Sequence, residues 1–126
     1  MKQVLIVAFF LISVSAQADD AKNEWHNTSL SEATIKKIQE SQYHYKKCIA
    51  NELQVASAKS QDVRKGTEAI VKKCENVLAD MRNVYLEEKV PEVIADRHLK
   101  QMRIQTTRDV LREMMFIESA RKAGQQ

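Results

Sequence analysis

The sequence predicts an all-α protein, with a disulfide-stapled antiparallel helical hairpin plus a third long helix in a small three- to four-helix bundle. Only two glycines and one proline occur among 126 residues, so tight turns between strands have few of the residues they need. The only two cysteines, Cys48 and Cys74, lie on successive helical patterns, and their midpoint is position 61. Two helices that fold back at this point bring both sulfur atoms to the same level. We therefore predict a Cys48–Cys74 disulfide.

The first 18 residues have the features of a secretory signal peptide. Lys2 is followed by an apolar run from position 4 to position 14, and Ala16-Gln17-Ala18 matches the small-x-small cleavage pattern. The run is about half the roughly 20 residues that a membrane span needs. We predict export, to the periplasm or as a secreted protein. Paired cysteines fit the oxidising conditions of such a compartment.

The mature chain suits a single domain. It comprises residues 19 to 126, and no internal repeat or Gly/Pro-rich linker divides it. We expect residues 19–28 to form a mobile leader, residues 29–122 to form the helical domain, and residues 123–126 to be a disordered tail. Without Lys2, 19 basic side chains stand against 17 acidic ones. This balance favours solubility and gives no support for nucleic-acid binding.

The first predicted helix begins at a capping box, Ser29-x-x-Glu32, and ends near Ser57. Apolar residues recur along one side of it at spacings of three and four. They are Ile38, Tyr45, Cys48, Ile49, Val55 and Ala56.

The second predicted helix begins between Ser60 and Asp62, where a short polar side chain can cap it. It contains Gly66, which costs about 1 kcal/mol relative to alanine. It ends near Lys89, because Pro91 restricts the preceding residue to extended geometry. Its apolar stripe is Ile70, Cys74, Val77, Met81 and Val84. With the turn at 61, this stripe faces that of the first helix.

The third predicted helix has Pro91 as its first residue. Its apolar pattern loses phase between Ile104 and Thr107, where Thr106-Thr107-Arg108-Asp109 offers a second start signal. Two alternatives follow from this pattern. Either one long helix continues to about Lys122, or two shorter helices meet near position 106.

Residues with catalytic or metal-binding chemistry do not form a recognisable motif. We expect no enzymatic activity and no cofactor, because no nucleophile elbow or clustered carboxylates stand out. His44 lies one helical turn before Cys48, and this spacing could begin a metal site. The alternative to a binding protein is therefore a metal or cofactor carrier that uses His44, His98 and the methionines. A structural disulfide fits the cysteine spacing better than a redox couple does.

Two surface features point to binding. Arg97, Lys100, Arg108 and Arg112 follow one side of the third helix, with Arg103 nearby. Such a side suits an anionic surface, either phospholipid headgroups or an acidic protein, although a basic helix face is often simply solvated.

The second feature is the run Met114-Met115-Phe116-Ile117, whose four apolar residues point around most of a helix. We expect Met114 and Met115 to face inward with Val110 and Leu111, and Phe116 to face outward. Phe116 and Met115 are the candidate contacts with a protein partner or a second copy. The favoured hypothesis is a non-enzymatic binding or interaction module of the cell envelope, acting as an inhibitor, a chaperone-like protein or an assembly factor.

Overall fold

The computed structural model describes residues 30–125, and this part of the chain folds into four α-helices without strands. The all-α prediction is confirmed. The predicted signal peptide and leader lie outside the described residues. Within them, no helix is long and apolar enough to cross a membrane. The helices are α1 (Glu32–Ser57), α2 (Val63–Lys73), α3 (Glu75–Glu87) and α4 (Glu92–Gly124).

The N-cap of helix α1 lies two residues after the predicted one. Ser31 is the N-cap residue, and its hydroxyl accepts a hydrogen bond from the Thr34 amide at 3.1 Å. The prediction of a cap at Ser29 was wrong, because Ser31 is an equally good capping residue and lies directly before the helical turn. The buried Thr34 hydroxyl also donates to a Glu88 carboxylate oxygen at 2.7 Å. The start of α1 is therefore held against the end of α3.

The hairpin turn lies where the cysteine midpoint predicts it. Residues 58–62 connect α1 to α2, and the Asp62 carboxylate accepts from the Lys65 amide at 2.9 Å. The Gln61 side chain donates to the Ala56 carbonyl at 3.1 Å and thereby holds the turn against α1. The Cys48–Cys74 disulfide is present, with a Cα–Cα distance of 5.9 Å. Both the turn and the disulfide are confirmed.

The second predicted helix is two helices, because the chain leaves helical geometry at Cys74. This residue has φ −93° and ψ 4°, and it separates α2 from α3. The break lies at the residue that the disulfide fixes to α1. It allows the two segments to pack differently, so that α2 contacts mainly α4 while α3 contacts mainly α1. The apolar stripe continues through the break, and for this reason the sequence pattern did not reveal it.

The connection from α3 to α4 is a Schellman motif. The Val90 amide donates to the Tyr85 carbonyl and the Lys89 amide to the Leu86 carbonyl, both at 3.0 Å. Lys89 has φ 64°, a left-handed conformation that glycine usually takes at this position. Val90 is buried, which anchors the turn. Pro91 then occupies the N-cap position of α4, whereas the sequence predicts it as the first residue inside the helix.

Helix α4 is continuous over 33 residues, so the long-helix alternative is correct. The loss of apolar phase near Thr106 does not break the helix, since no glycine or proline lies between Pro91 and Gly124. The Thr107 hydroxyl donates to the Arg103 carbonyl one turn earlier, at 2.7 Å. The helix continues to Gly124, two residues beyond the predicted end.

The core lies between all four helices. Its largest fully buried side chains are Tyr45, Met81, Val110 and Cys74. Gly66 allows α2 to approach α4 closely, since a Cβ atom at this position would lie 2.7 Å from the Met114 methyl carbon. Helix α2 is therefore held closely against α4 at this point. The side where α1 and α4 meet is less closely packed.

Candidate functional site

An open groove separates the C-terminal half of α1 from the middle of α4. Its volume is about 630 Å³. The floor is apolar and is formed by Ile49 and Leu53 of α1 together with Val110 and Ile117 of α4. Charged side chains stand at the edges. They are Lys46 on α1 and Asp109 and Glu113 on α4.

The groove residues recur every three or four positions on both helices, from 46 to 57 on α1 and from 106 to 117 on α4. Each helix therefore presents one continuous side to the groove. The two helices run in the same direction, because Thr106 lies beside Tyr45 whereas Arg121 reaches Ser57. Each wall spans twelve residues, and the eleven steps between them at about 1.5 Å each make it roughly 16 Å long.

One end of the groove is closed by Arg121. Its Nη2 donates to the Ser57 carbonyl at 2.7 Å, a group that the end of α1 leaves without a helical partner. Glu118 flanks this contact, 3.5 Å from the Arg121 guanidinium, and accepts from the Ser60 hydroxyl at 3.2 Å. These polar contacts fix the separation of α1 and α4 where apolar packing is sparse.

The other end of the groove is bordered by Tyr45, whose side chain is 1 % exposed. Burial raises the pKa of its hydroxyl, and neighbouring Thr106 opposes this shift in part. Among the described residues, no group accepts or donates a hydrogen bond to this hydroxyl in good geometry. The Tyr45 ring thus belongs to the hydrophobic core and borders this end of the groove.

The apolar run on α4 lies next to the groove. Phe116 is 68 % exposed, which confirms the predicted outward orientation. Met115 is 57 % exposed, so its predicted inward orientation was wrong. Met114 takes the inward place beneath Gly66, and Met115 lies about 100° further around the helix. Phe116 follows Glu113 by three residues and therefore borders the α4 wall. Contact of Phe116 and Met115 with a partner stays a prediction.

The predicted basic side of α4 is exposed at Arg97, Lys100, Arg108 and Arg112. Arg112 lies 3.5 Å from the Asp109 carboxylate. Arg103 does not belong to this side, because its guanidinium pairs with Glu75 of α3 at 3.1 Å. Contact of the four exposed residues with an anionic surface stays a prediction.

The predicted metal ligands do not come together in the part of the chain that the structure describes. No three His, Cys, Asp or Glu side chains between residues 30 and 125 are placed to hold an ion. His44 is exposed and packs edge-on against Tyr43, with 5.9 Å between the ring centroids. The Nδ1 atom of His98 lies 2.6 Å from the Tyr85 hydroxyl. Both cysteine sulfurs belong to the disulfide.

Two groups of short ion pairs lie away from the groove and connect helices. Asp96 and then Glu92 raise the pKa of the Arg82 guanidinium, which bridges α3 and α4. Hydrogen bonds from Lys37 and then Thr34 hold the pKa of Glu88 below its usual range. These carboxylates are occupied by basic partners. They act in the packing of the bundle.

Sequence reasoning identified Phe116 but missed the groove. One signal was present, because the apolar pattern of α4 loses phase near Thr106, which is the first α4 residue that lines the groove. Together the fold and the groove define a small disulfide-bonded helical bundle with an open apolar groove between α1 and α4. No protein-family model, curated protein or solved structure matches the chain.

Proposed function

We propose that the protein is a non-enzymatic binding module of the cell envelope that holds an apolar helical segment of a partner protein. The single observation that carries this proposal is the apolar groove between α1 and α4 with the exposed Phe116 beside it. The signal-peptide pattern of the first 18 residues and the Cys48–Cys74 disulfide support an exported protein in an oxidising compartment.

A helix is the partner element that the groove fits best. Two helices running side by side with an apolar floor accept a third helix as in other helix-in-groove complexes. A wall of roughly 16 Å matches about three helical turns. The partner helix would place apolar residues at i, i+3 or i+4, and i+7 against Leu53 and Ile117, the half-buried residues of the groove floor.

The charges at the edges set the orientation of the partner. Lys46 stands on the α1 side, whereas Asp109 and Glu113 stand on the α4 side. We expect an amphipathic partner helix with acidic residues along one flank and basic residues along the other. Such pairing at an exposed rim contributes more to specificity and association rate than to affinity. An inhibitor, a chaperone-like protein and an assembly factor would all use a surface of this kind.

The proposal is tested by Phe116→Asp, with Tyr43→Asp as the matched control. Both side chains are exposed aromatics, on α4 and α1 respectively, and Tyr43 does not line the groove. We expect both variants to keep the helical circular dichroism of the wild type. Phe116→Asp should lose self-association or capture of a partner from native envelope extract by tenfold or more, about 1.4 kcal/mol.

Tyr43→Asp should bind like the wild type. Equal binding by both variants would contradict the proposal. Unfolding of Phe116→Asp would show that this residue belongs to the core, and the binding surface would then have to be abandoned.

A further inference from the structure

The outward side of α4 carries a second surface, separate from the groove, which we call the α4 stripe. Its basic members are Arg97, Lys100, Arg108 and Lys122, and its apolar members are Val93, Ile104 and Met115. All seven are exposed. Val93 is 41 % exposed and Ile104 is 43 % exposed, which is high for β-branched aliphatic side chains on a folded helix.

The α4 stripe has a regular repeat. Its three apolar residues lie eleven positions apart, and Arg97 and Arg108 share the same interval. Eleven residues make three turns at 3.67 residues per turn, which keeps these side chains on one side of a nearly straight helix. From Val93 to Lys122 the stripe extends roughly 43 Å at 1.5 Å per residue. Apolar and basic side chains therefore alternate along one line.

Two acidic residues also lie at helical spacing along the α4 stripe, Asp96 between Val93 and Lys100 and Glu118 between Met115 and Lys122, but both have basic partners. Glu92 and Asp96 pair with Arg82, and Glu118 pairs with Arg121. Within residues 30–125, none of the four basic members of the stripe forms an ion pair. Their charge is thus available to a ligand, and the ligand must be anionic.

We infer that the α4 stripe lies on an anionic phospholipid surface, with its basic side chains on lipid phosphates and its apolar side chains in the headgroup boundary. Amphipathic helices that lie in the plane of a membrane combine these two side-chain classes on one side. Each basic side chain near such a surface contributes about fivefold to binding. Aliphatic side chains between the charges add burial that a purely electrostatic contact lacks.

A bilayer fits the α4 stripe better than an acidic protein does. The stripe is the convex surface of a single helix, without a pocket or a neighbouring ridge to select one protein shape. A lipid surface is deformable and needs no shape complementarity. The groove residues Asp109 and Glu113 point about 100° or more away from Arg108, so a membrane-bound molecule keeps its groove free. This inference does not depend on the proposed protein-binding function.

Sedimentation with lipid vesicles tests the inference, using the protein as it is isolated after export. Vesicles of phosphatidylcholine alone are compared with vesicles that also contain phosphatidylglycerol. The double variant Arg97→Gln/Arg108→Gln should bind the anionic vesicles about 20-fold more weakly than the wild type. Ile104→Gln keeps every charge and should weaken binding about fivefold by removing apolar burial.

The matched control is Lys36→Gln/Lys47→Gln. These two exposed lysines are also eleven residues apart, but on α1. This pair removes the same net charge and should change binding by about twofold at most, because it leaves the α4 stripe intact. All variants share the same N-terminal residues, so differences between them report on the helices.

Four results would overturn the inference. Equal binding to both kinds of vesicle would show that anionic lipid is not recognised. An equal loss of vesicle binding in the two double variants would show that only the net charge of the protein matters. Unchanged vesicle binding by Ile104→Gln would show that the apolar side chains do not contact the membrane. Retention on an acidic polypeptide without vesicle binding would assign the stripe to a protein.

Discussion

Helix α1 packs differently along its two long sides. Toward α3 it makes its most extensive contact, with the Cys48–Cys74 disulfide and the hydrogen bonds that join Thr34 and Lys37 to Glu88. Toward α4 it makes fewer contacts and leaves the groove, whose closure depends on Arg121 at one end. The first side has covalent, polar and apolar contacts together. The second side has an apolar floor that nothing in residues 30–125 covers.

We propose that this difference separates the residues that stabilise the bundle from those that bind a partner. A domain of this size has only about 5–15 kcal/mol of net stability. It can therefore leave apolar surface exposed only if its other contacts are strong. The side toward α3 supplies those contacts. Changes there should mainly lower the free energy of unfolding, whereas changes in the groove should mainly affect binding.

The largest expected effect is removal of the disulfide. Cys48→Ala/Cys74→Ala should lower the free energy of unfolding by about 3–4 kcal/mol, because the cross-link restricts a long loop in the unfolded chain. Urea unfolding followed by circular dichroism measures this difference. Non-reducing mass spectrometry of the wild type should show both thiols oxidised. A loss of less than about 1 kcal/mol would show that the disulfide is not the main constraint on this side.

The second prediction compares truncation of a residue on the α3 side of α1 with truncation of a residue in the groove on the α4 side. Met81 of α3 is fully buried, and Met81→Ala should cost about 2–5 kcal/mol by leaving a cavity. Leu53 of the groove floor is only half-buried, and Leu53→Ala should cost about 1 kcal/mol or less. The same urea titration measures both. Similar costs at the two positions would mean that the groove is as tightly packed as the core.

A stabilising change is expected at the end of α3. Lys89 adopts a left-handed conformation that costs a residue with a Cβ atom about 1–2 kcal/mol. Lys89→Gly should therefore raise the free energy of unfolding by about 1 kcal/mol, less the extra entropy of glycine in the unfolded chain. Thermal unfolding checks this. Lys89→Ala is the control, since it removes the charge but keeps the Cβ atom, and it should give no gain.

The smallest effect is a dependence on pH at Glu88. Its pKa is lowered in the folded protein from an ordinary value of 4.5. The stabilising contribution of this carboxylate is therefore complete above pH 4.5 and is lost as the pH falls below it. Glu88→Gln should flatten the decline in unfolding midpoint between pH 5 and pH 3. If Glu88→Gln shows the same decline in unfolding midpoint as the wild type, other carboxylates cause the sensitivity to acid.

Much of the fold could be predicted because its signals are local or paired. The spacing of Cys48 and Cys74 located the turn, and Pro91 located the start of α4. The break at Cys74 could not be predicted, since it interrupts the backbone without interrupting the apolar stripe. Lys89 gave no turn signal, because its left-handed conformation is imposed by the Schellman hydrogen bonds and the burial of Val90.

The groove was hidden for a different reason. Leu53 and Ile117 look like ordinary core residues in the sequence, and only the separation of α1 and α4 leaves them half-buried. By contrast, the exposure of Phe116 follows from four consecutive apolar residues, which cannot all face one core. A run that exceeds the width of a buried stripe is thus readable from sequence, whereas an unfilled space between helices is not.

Photo-crosslinking from position 116 tests most directly that the open side of α1 and α4 binds a protein. A benzoylphenylalanine replaces Phe116 in one variant and Tyr43 in the other, and both are irradiated in native envelope extract. We predict one discrete adduct from position 116, formed with a partner or a second copy, and its loss when Leu53→Gln alters the groove floor. Position 43 should give no such adduct. The same adducts from both positions, or an adduct that Leu53→Gln leaves unchanged, would contradict a binding role for the groove.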